Sequence, residues 1–221
     1  MYSVGDYLDL EHTIAAELFE GRDYPWEVLP DIGDFILKIG PSLPSDIYEK
    51  RGDDIWIAKS AVVFDSAYIT GPCIIGPDSE VRHCAFLRGK IIVGANCVVG
   101  NSTELKNVIL FDNVQVPHYN YVGDSVLGYK SHMGAGSITS NVKSDKTLVH
   151  VKYEGGDIAT GLKKFAAILG DNVEVGCNSV LNPGTVIGRH STVYPLSMVR
   201  GIVPANSIYK KQGEVAEKID R

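Results

Sequence analysis

From Ile57 onward the chain carries a bulky apolar side chain at every sixth position: Ile57, Val63, Ile69, Ile75, Val81, Leu87, Val93, Val99, Leu105, Phe111, with Pro117 the one exception. Four residues after most of these stands a small side chain, as at Ala61, Ala67, Cys73, Ser79, Ala85, Cys97 and Thr103, and Gly76, Gly94 and Gly100 follow their aliphatic directly. After one slip the pattern resumes at Leu127 and Met133, then at Leu169, Val175, Leu181, Ile187, Val193 and Val199. A period of six fits neither a helix nor a simple alternating strand. It describes a short strand and a turn per unit, the aliphatic pointing inward and Gly, Asn or Asp permitting the tight backbone. Three units close a triangular coil, and successive coils stack about 4.8 Å apart through backbone hydrogen bonds. The pattern predicts an all-β chain folded as a single-stranded parallel β-helix. A β-sandwich would instead show alternating strands with turns every 8 to 12 residues.

Two stretches interrupt the repeat. Residues 1–54 are mixed, with a helix expected in LEHTIAAELFEG, a proline-bounded middle and two tryptophans, Trp26 and, just beyond, Trp56. An open helix end needs covering, so this segment is expected to cap the N-terminal coil. Residues 139–166 form an insertion into the repeat, and loops on a rigid coil are where binding groups collect. The expected organisation is a 1–54 cap, a 55–210 β-helix carrying the 139–166 insertion, and a 211–221 tail.

Composition narrows the functional classes. A net charge of -6 argues against a general nucleic-acid surface. No apolar run approaches a membrane span, and the start MYSVGDYLDLEHT has neither a basic nor an apolar leader region, so a cytoplasmic location without membrane attachment is expected. The four cysteines, Cys73, Cys84, Cys97 and Cys177, show no CxxC spacing and read as free thiols.

An 18-residue coil turns spacing into geometry. Arg88 and Lys106 each follow an inward leucine and stand 18 apart, so they stack on one face. Two cations about 5 Å apart would hold a phosphate, or would be balanced by Glu104 or Asp124; the spacing leaves both readings open. His118, 12 residues after Lys106, falls on a different side of the prism, so a pocket shared by these groups calls for neighbouring subunits. A zinc site of three histidines is disfavoured: His83 and His118 are 35 apart, and Val122 occupies the place of a nearby further ligand.

The runs LRG (87–89), NSTELK (101–106), PHYNYVGDSVLG (117–128) and GAGSITSN (134–141) resemble the C-terminal acetyltransferase domain of bifunctional N-acetylglucosamine-1-phosphate uridylyltransferase/glucosamine-1-phosphate N-acetyltransferase, over roughly residues 55 to 210. They resemble still more the archaeal-type sugar-1-phosphate nucleotidylyltransferase/acetyltransferases, which share the long loop after SN. The resemblance implies a left-handed β-helix, a homotrimer, acetyl-CoA as co-substrate, an amino-sugar 1-phosphate as acceptor, and no metal for acetyl transfer. It assigns His118 as general base, Asn141 beside the reacting amine, Tyr121 at the sugar, Arg88 and Lys106 on the phosphate, Ala135 on the thioester end of acetyl-CoA, and Lys146 as a substrate lysine. Three positions depart from the pattern: His132 stands in place of a substrate-binding asparagine, Cys177 in place of a cofactor-contacting serine, and Pro195 in place of an alanine in the cofactor groove. The Gly-rich loop and the large sheet of a nucleotidyltransferase are not present in residues 1–54, so synthesis of nucleotide sugars is not expected. The alternatives are a different sugar or nucleotide-sugar acceptor, or a trimeric scaffold without turnover.

Such a reaction needs a proton acceptor, since a sugar amine is largely protonated near neutral pH and only the free amine attacks a thioester. Histidine is suited to that task, and backbone N–H groups of the GAG turn can face the developing oxyanion.

Overall fold

A computed structural model describes residues 2–211 and 214–217. Residues 55–211 wind into a parallel β-helix of triangular section, the left-handed hexapeptide-repeat type, an exception to the right-handed crossover rule. The first face stacks Ile55–Ala58, Cys73–Ile75 and Ile91–Val93 and continues down to Ile202–Val203. The second runs from Val62–Val63 through Val98–Asn101 and Gln115–His118 to Ser207–Lys211. The third runs from Tyr68–Thr70 through Phe86–Arg88 to Met198–Val199. One inward side chain per strand fills the axis, as Ile75, Val93, Leu110, Leu127, Leu169 and Ile187 do beneath the first face, all fully buried.

The repeat slips earlier than the spacing suggests. Leu110, not Phe111, aligns with Val93 and Leu127, and Val116, not Pro117, aligns with Val99. The turn between third and first faces uses two left-handed residues at Gly89 and Lys90, but one at Asn107 and one at Asp124, so those turns are a residue shorter. Phe111 is therefore thrown outside the axis, where Phe19 covers it edge-on at 5.9 Å.

Its partner belongs to a layer that the spacing did not foresee. Residues 2–47 do not simply cap one end; they run along the outer side of the first face, opposite to the direction of winding. Tyr7 O accepts from Asp171 N (3.0 Å), His12 O from Asp112 N (3.0 Å) and Leu29 O from Asn107 Nδ2 (3.1 Å). Gly40 then lies against Trp56, so closely that a Cβ there would meet the indole at 2.5 Å. Beneath this layer the outward residues of the first face, Trp56, Ile74, Ile92, Ile109, Val126 and Ile168, are all buried. Each such burial contributes about 1.5–3 kcal/mol and accounts for the length of the segment.

The helix expected in LEHTIAAELFEG is instead two short 3₁₀ turns, Leu10–His12 and Ala16–Phe19, parted by an extended Thr13. Asp9 Oδ1 accepts from Glu11 N and Thr13 Oγ1 from Ala15 N, local bonds that compete with a continuous helix. The regular helices of this layer are the single turn Val4–Tyr7 and the longer Ile32–Ile39.

Antiparallel strands close both ends of the coil, Tyr48–Lys50 on Ile55–Ala58 and Glu214–Glu217 on Ser207–Lys211. The expected 211–221 tail thus begins as strand, and its last residues, 218–221, lie outside the described part. The insertion leaves at Asn141, forms an antiparallel hairpin of His150–Tyr153 and Gly156–Ala159, and returns at Phe165, whose N–H donates to Asn141 O (3.1 Å).

Candidate functional site

Two edges of the third face carry the residues singled out in the sequence. Along the edge shared with the second face, the backbone stacks His83, Asn101, His118, Ala135, Cys177 and Pro195 in successive coils. The bonds of the residues that follow them fix the column: Tyr119 N to Asn101 O (2.9 Å), Gly136 N to His118 O (3.0 Å), Asn178 N to Ala135 O and Leu196 N to Cys177 O (both 2.9 Å). The following positions, Cys84, Ser102, Tyr119, Gly136, Asn178 and Leu196, are all left-handed, which turns the chain sharply and leaves the column on a ridge. His118 is exposed, and its ring meets no partner among the described residues.

The GAG turn offers less than its composition suggests. Gly134 N donates to Val175 O (2.7 Å) and Gly136 N to His118 O, which leaves Ala135 as the one amide of the three without a backbone acceptor. That free donor sits one coil from His118, on the same column.

At the opposite edge, the turns between third and first faces gather Arg88, Lys106, Tyr121, Asp124 and Asn141. Asp124 is 5% exposed and joins Lys106 to Asn141. Its Oδ1 accepts from Asn107 Nδ2 (3.0 Å), its Oδ2 accepts from Asn141 Nδ2, and Lys106 Nζ stands 3.7 Å from Oδ2. Arg88 donates to Glu104 Oε1 at 2.6 Å. Each cation of the stacked pair therefore has its own carboxylate, the balanced arrangement that the spacing had left open, while both still line a cleft of about 380 Å³. Burial foremost, then the Asp124 and Glu104 charges, holds the Tyr121 phenol above its ordinary pKa, so it stays a protonated donor beside Asn141.

Two of the expected substrate residues lie elsewhere. Lys146 is exposed on a left-handed turn of the insertion and does not line the cleft. The lysine of the insertion that does line it is Lys164: the stem bond between Phe165 and Asn141 returns it to this edge. The resemblance pointed to Lys146; counting back from the resumed repeat at Leu169 is the signal that finds Lys164. His132 lies on the second face, its Nδ1 2.8 Å from Glu174 Oε2, in a separate depression with Lys130 and His190. Among the described residues no group of three or more His, Cys, Asp or Glu side chains is placed to hold a metal ion. No helix there is long and apolar enough to cross a membrane.

The family described as the GMPPB C-terminal domain matches residues 69–202, well over half of the chain. The chain belongs to that family. The GMPPB C-terminal domain match spans both edges of the third face. The chain is also similar to the bifunctional protein GlmU of Methanococcus maripaludis (strain C5), 33% identical over 198 residues, which are 88% of this chain and 48% of that protein. With the bifunctional sugar-1-phosphate nucleotidylyltransferase/acetyltransferase of Sulfurisphaera tokodaii it is 32% identical over 166 residues, 67% of this chain and 41% of the relative. The chain spans about half the length of the curated relatives it matches. Among solved structures, a putative acetyltransferase from Bacillus cereus is 19% identical with a TM-score of 0.42, over 74% of this chain and 77% of that one.

Proposed function

We propose that the protein transfers the acetyl group of acetyl-CoA to the amine of an amino-sugar 1-phosphate, glucosamine 1-phosphate or galactosamine 1-phosphate. The observation that carries this reading is the column His118, Ala135, Cys177, Pro195 along one edge of the third face, beside Tyr121 on that face and Asn141 and the cation pair at the other edge. The thioester lies along the column, with the acetyl carbonyl toward the Ala135 amide. His118 takes the proton as the amine nitrogen bonds to the acetyl carbon, the C–S bond then breaks as His118 returns that proton to the sulfur, and coenzyme A leaves as the thiol. Tyr121 and Asn141 orient the sugar. Arg88 and Lys106 exchange part of their pairing with Glu104 and Asp124 for the phosphate oxygens.

The working unit of this proposal is a homotrimer. The outer side of the third face exposes Tyr68, Phe86 and Met198, with Tyr119 and Leu196 on the adjoining ridge, an apolar surface suited to a second copy of the chain. Packing there sets the ridge of one subunit beside another and encloses the reacting groups. The acceptor panel that tests the reading is glucosamine 1-phosphate, galactosamine 1-phosphate, the free amino sugars and UDP-linked amino sugars, each incubated with acetyl-CoA while thiol release is followed. Release that requires an amino-sugar 1-phosphate is expected. Release with UDP-linked acceptors alone would transfer the reading to a nucleotide-sugar acceptor, and no release above hydrolysis with any acceptor would favour a scaffold.

A further inference from the structure

The cleft at the third–first edge holds two cations beyond the pair already described. Arg88, Lys90, Lys106 and Lys164 all line it, Asp124 is its one carboxylate, and Leu29 and Pro30 of the N-terminal layer form its opposite wall. Arg88 is paired with Glu104 and Lys106 stands beside Asp124. Lys90 and Lys164 have no acidic partner among the described residues. The uncompensated positive charge in the cleft is therefore on Lys90 and Lys164, while the stacked pair is largely neutralised within the chain.

Lys90 is held there by the N-terminal layer. Its stem crosses helix Ile32–Ile39 at Gly33, where an added Cβ would meet Lys90 Cγ, Cδ and Cε at 3.2–3.3 Å. Glycine in the first turn of this helix leaves room for the lysine stem at the crossing. Lys90 itself occupies a left-handed position (φ 57°), the second of the two consecutive left-handed residues, Gly89 and Lys90, in the turn that follows Arg88.

We infer that Lys90 is a phosphate-recognising residue of this cleft, and that the N-terminal layer is part of the acceptor site because it aligns Lys90 through Gly33. The inference rests on the reading of Arg88 and Lys106 as phosphate ligands and extends it to a residue and a layer outside the repeat's own signature. An acceptor with a phosphate dianion is attracted by Lys90 and then engages the pair; an unphosphorylated amino sugar gains nothing from it.

The test measures calorimetric binding of inorganic phosphate and of glucosamine 1-phosphate to the full chain, beside steady-state kinetics, for Lys90→Ala, Lys90→Arg, Gly33→Ala and Arg88→Ala. Lys90→Ala is expected to weaken both ligands and raise the acceptor KM by about 5- to 15-fold, between the values for exposed and for well-formed charged contacts, with the acetyl-CoA KM unchanged. Lys90→Arg should restore most of the loss. Gly33→Ala should weaken phosphate binding while melting no lower than the wild type, a combination that general damage does not produce. Phosphate affinity in Lys90→Ala equal to wild type would overturn the inference, and if Arg88→Ala still raised the acceptor KM the proposed function would stand without it. Weakened phosphate binding in a protein that acetylates no acceptor would keep Lys90 as a ligand and remove the acetyltransfer reading.

Discussion

Replacing Asp124 separates what the carboxylate does for the fold from what it does for the site. The side chain is 5% exposed, accepts from Asn107 and Asn141, and stands 3.7 Å from the Lys106 ammonium. Its backbone is left-handed, φ 46°, a conformation that asparagine tolerates and alanine does not. Asp124→Asn keeps one carbonyl oxygen but turns an NH2 toward one of the two amides. Asn107 Nδ2 retains Leu29 O, whereas Asn141 Nδ2 exchanges a carboxylate for the Tyr121 phenol oxygen as its neighbouring acceptor. Losing a hydrogen bond to a charged acceptor costs about 2 kcal/mol. Asp124→Ala removes both acceptors and adds about 1–2 kcal/mol of backbone strain, so about 4 kcal/mol is expected. For a chain of this size these are drops in Tm of about 4–8 °C and 8–16 °C, read by calorimetry at fixed protomer concentration. The kinetic signature is different. With Asn141 released and Lys106 no longer neutralised, kcat should fall while the KM for the sugar phosphate stays level or drops. Equal Tm for the two variants, or a raised acceptor KM at unchanged kcat, would refute this account of Asp124.

Three further outcomes follow from the same structure. Cys73 and Cys97 are buried, their thiols pushed up to about 12 by desolvation, whereas Cys84 and Cys177 are exposed. A disulfide-exchange reagent at pH 8 should therefore modify two thiols in the native protein and four in urea, and acetyl-CoA should slow modification of Cys177. Burial raises the Asp171 carboxyl above its ordinary 3.8, despite Arg189 Nε at 3.0 Å and the Tyr129 and Asp9 amides. The folded state thus holds this proton more tightly than the unfolded chain, so its contribution to stability is lost as pH rises from 3.8 through the raised value; in paired urea melts Asp171→Asn should gain on the wild type across that window, and a loss would contradict the assignment. Arg88→Ala and Lys106→Ala should raise the KM for the sugar phosphate more than that for acetyl-CoA, by less than a full charged contact of about 1.5–3 kcal/mol because each cation already has a carboxylate; equal effects on both substrates would leave these residues as surface ion pairs.

The inward ladder was legible because a six-residue period leaves one aliphatic per strand, and the coil geometry follows from that alone. The outward ladder of the first face was written as plainly, in Trp56, Ile74, Ile92, Ile109, Val126 and Ile168, each directly before an inward residue. Read beside Glu80 and Gln115 on the second face, those apolar residues call for a covering layer, and the N-terminal segment is that layer. The slip at Leu110 was not legible: Phe111 is as apolar as the residue it displaces, and a turn of one left-handed residue instead of two leaves little mark in composition. For the site, spacing placed Arg88 and Lys106 together but could not show that Glu104 and Asp124 neutralise them, since side-chain direction at a corner depends on turn length. Lys164 was hidden by the insertion, whose closure is set by the Phe165–Asn141 bond and not by sequence distance.

Base-assisted acetyl transfer at the ridge stands or falls most directly on His118→Ala, with kcat measured from pH 6.5 to 9.5 beside acetyl-CoA binding by calorimetry. The account predicts unchanged acetyl-CoA affinity, unchanged Tm, and a loss in kcat of roughly 10²- to 10⁴-fold at neutral pH that shrinks toward high pH, where the amine is already free. A kcat equal to wild type across the range, or a pH-independent loss accompanied by a lower Tm, would contradict it.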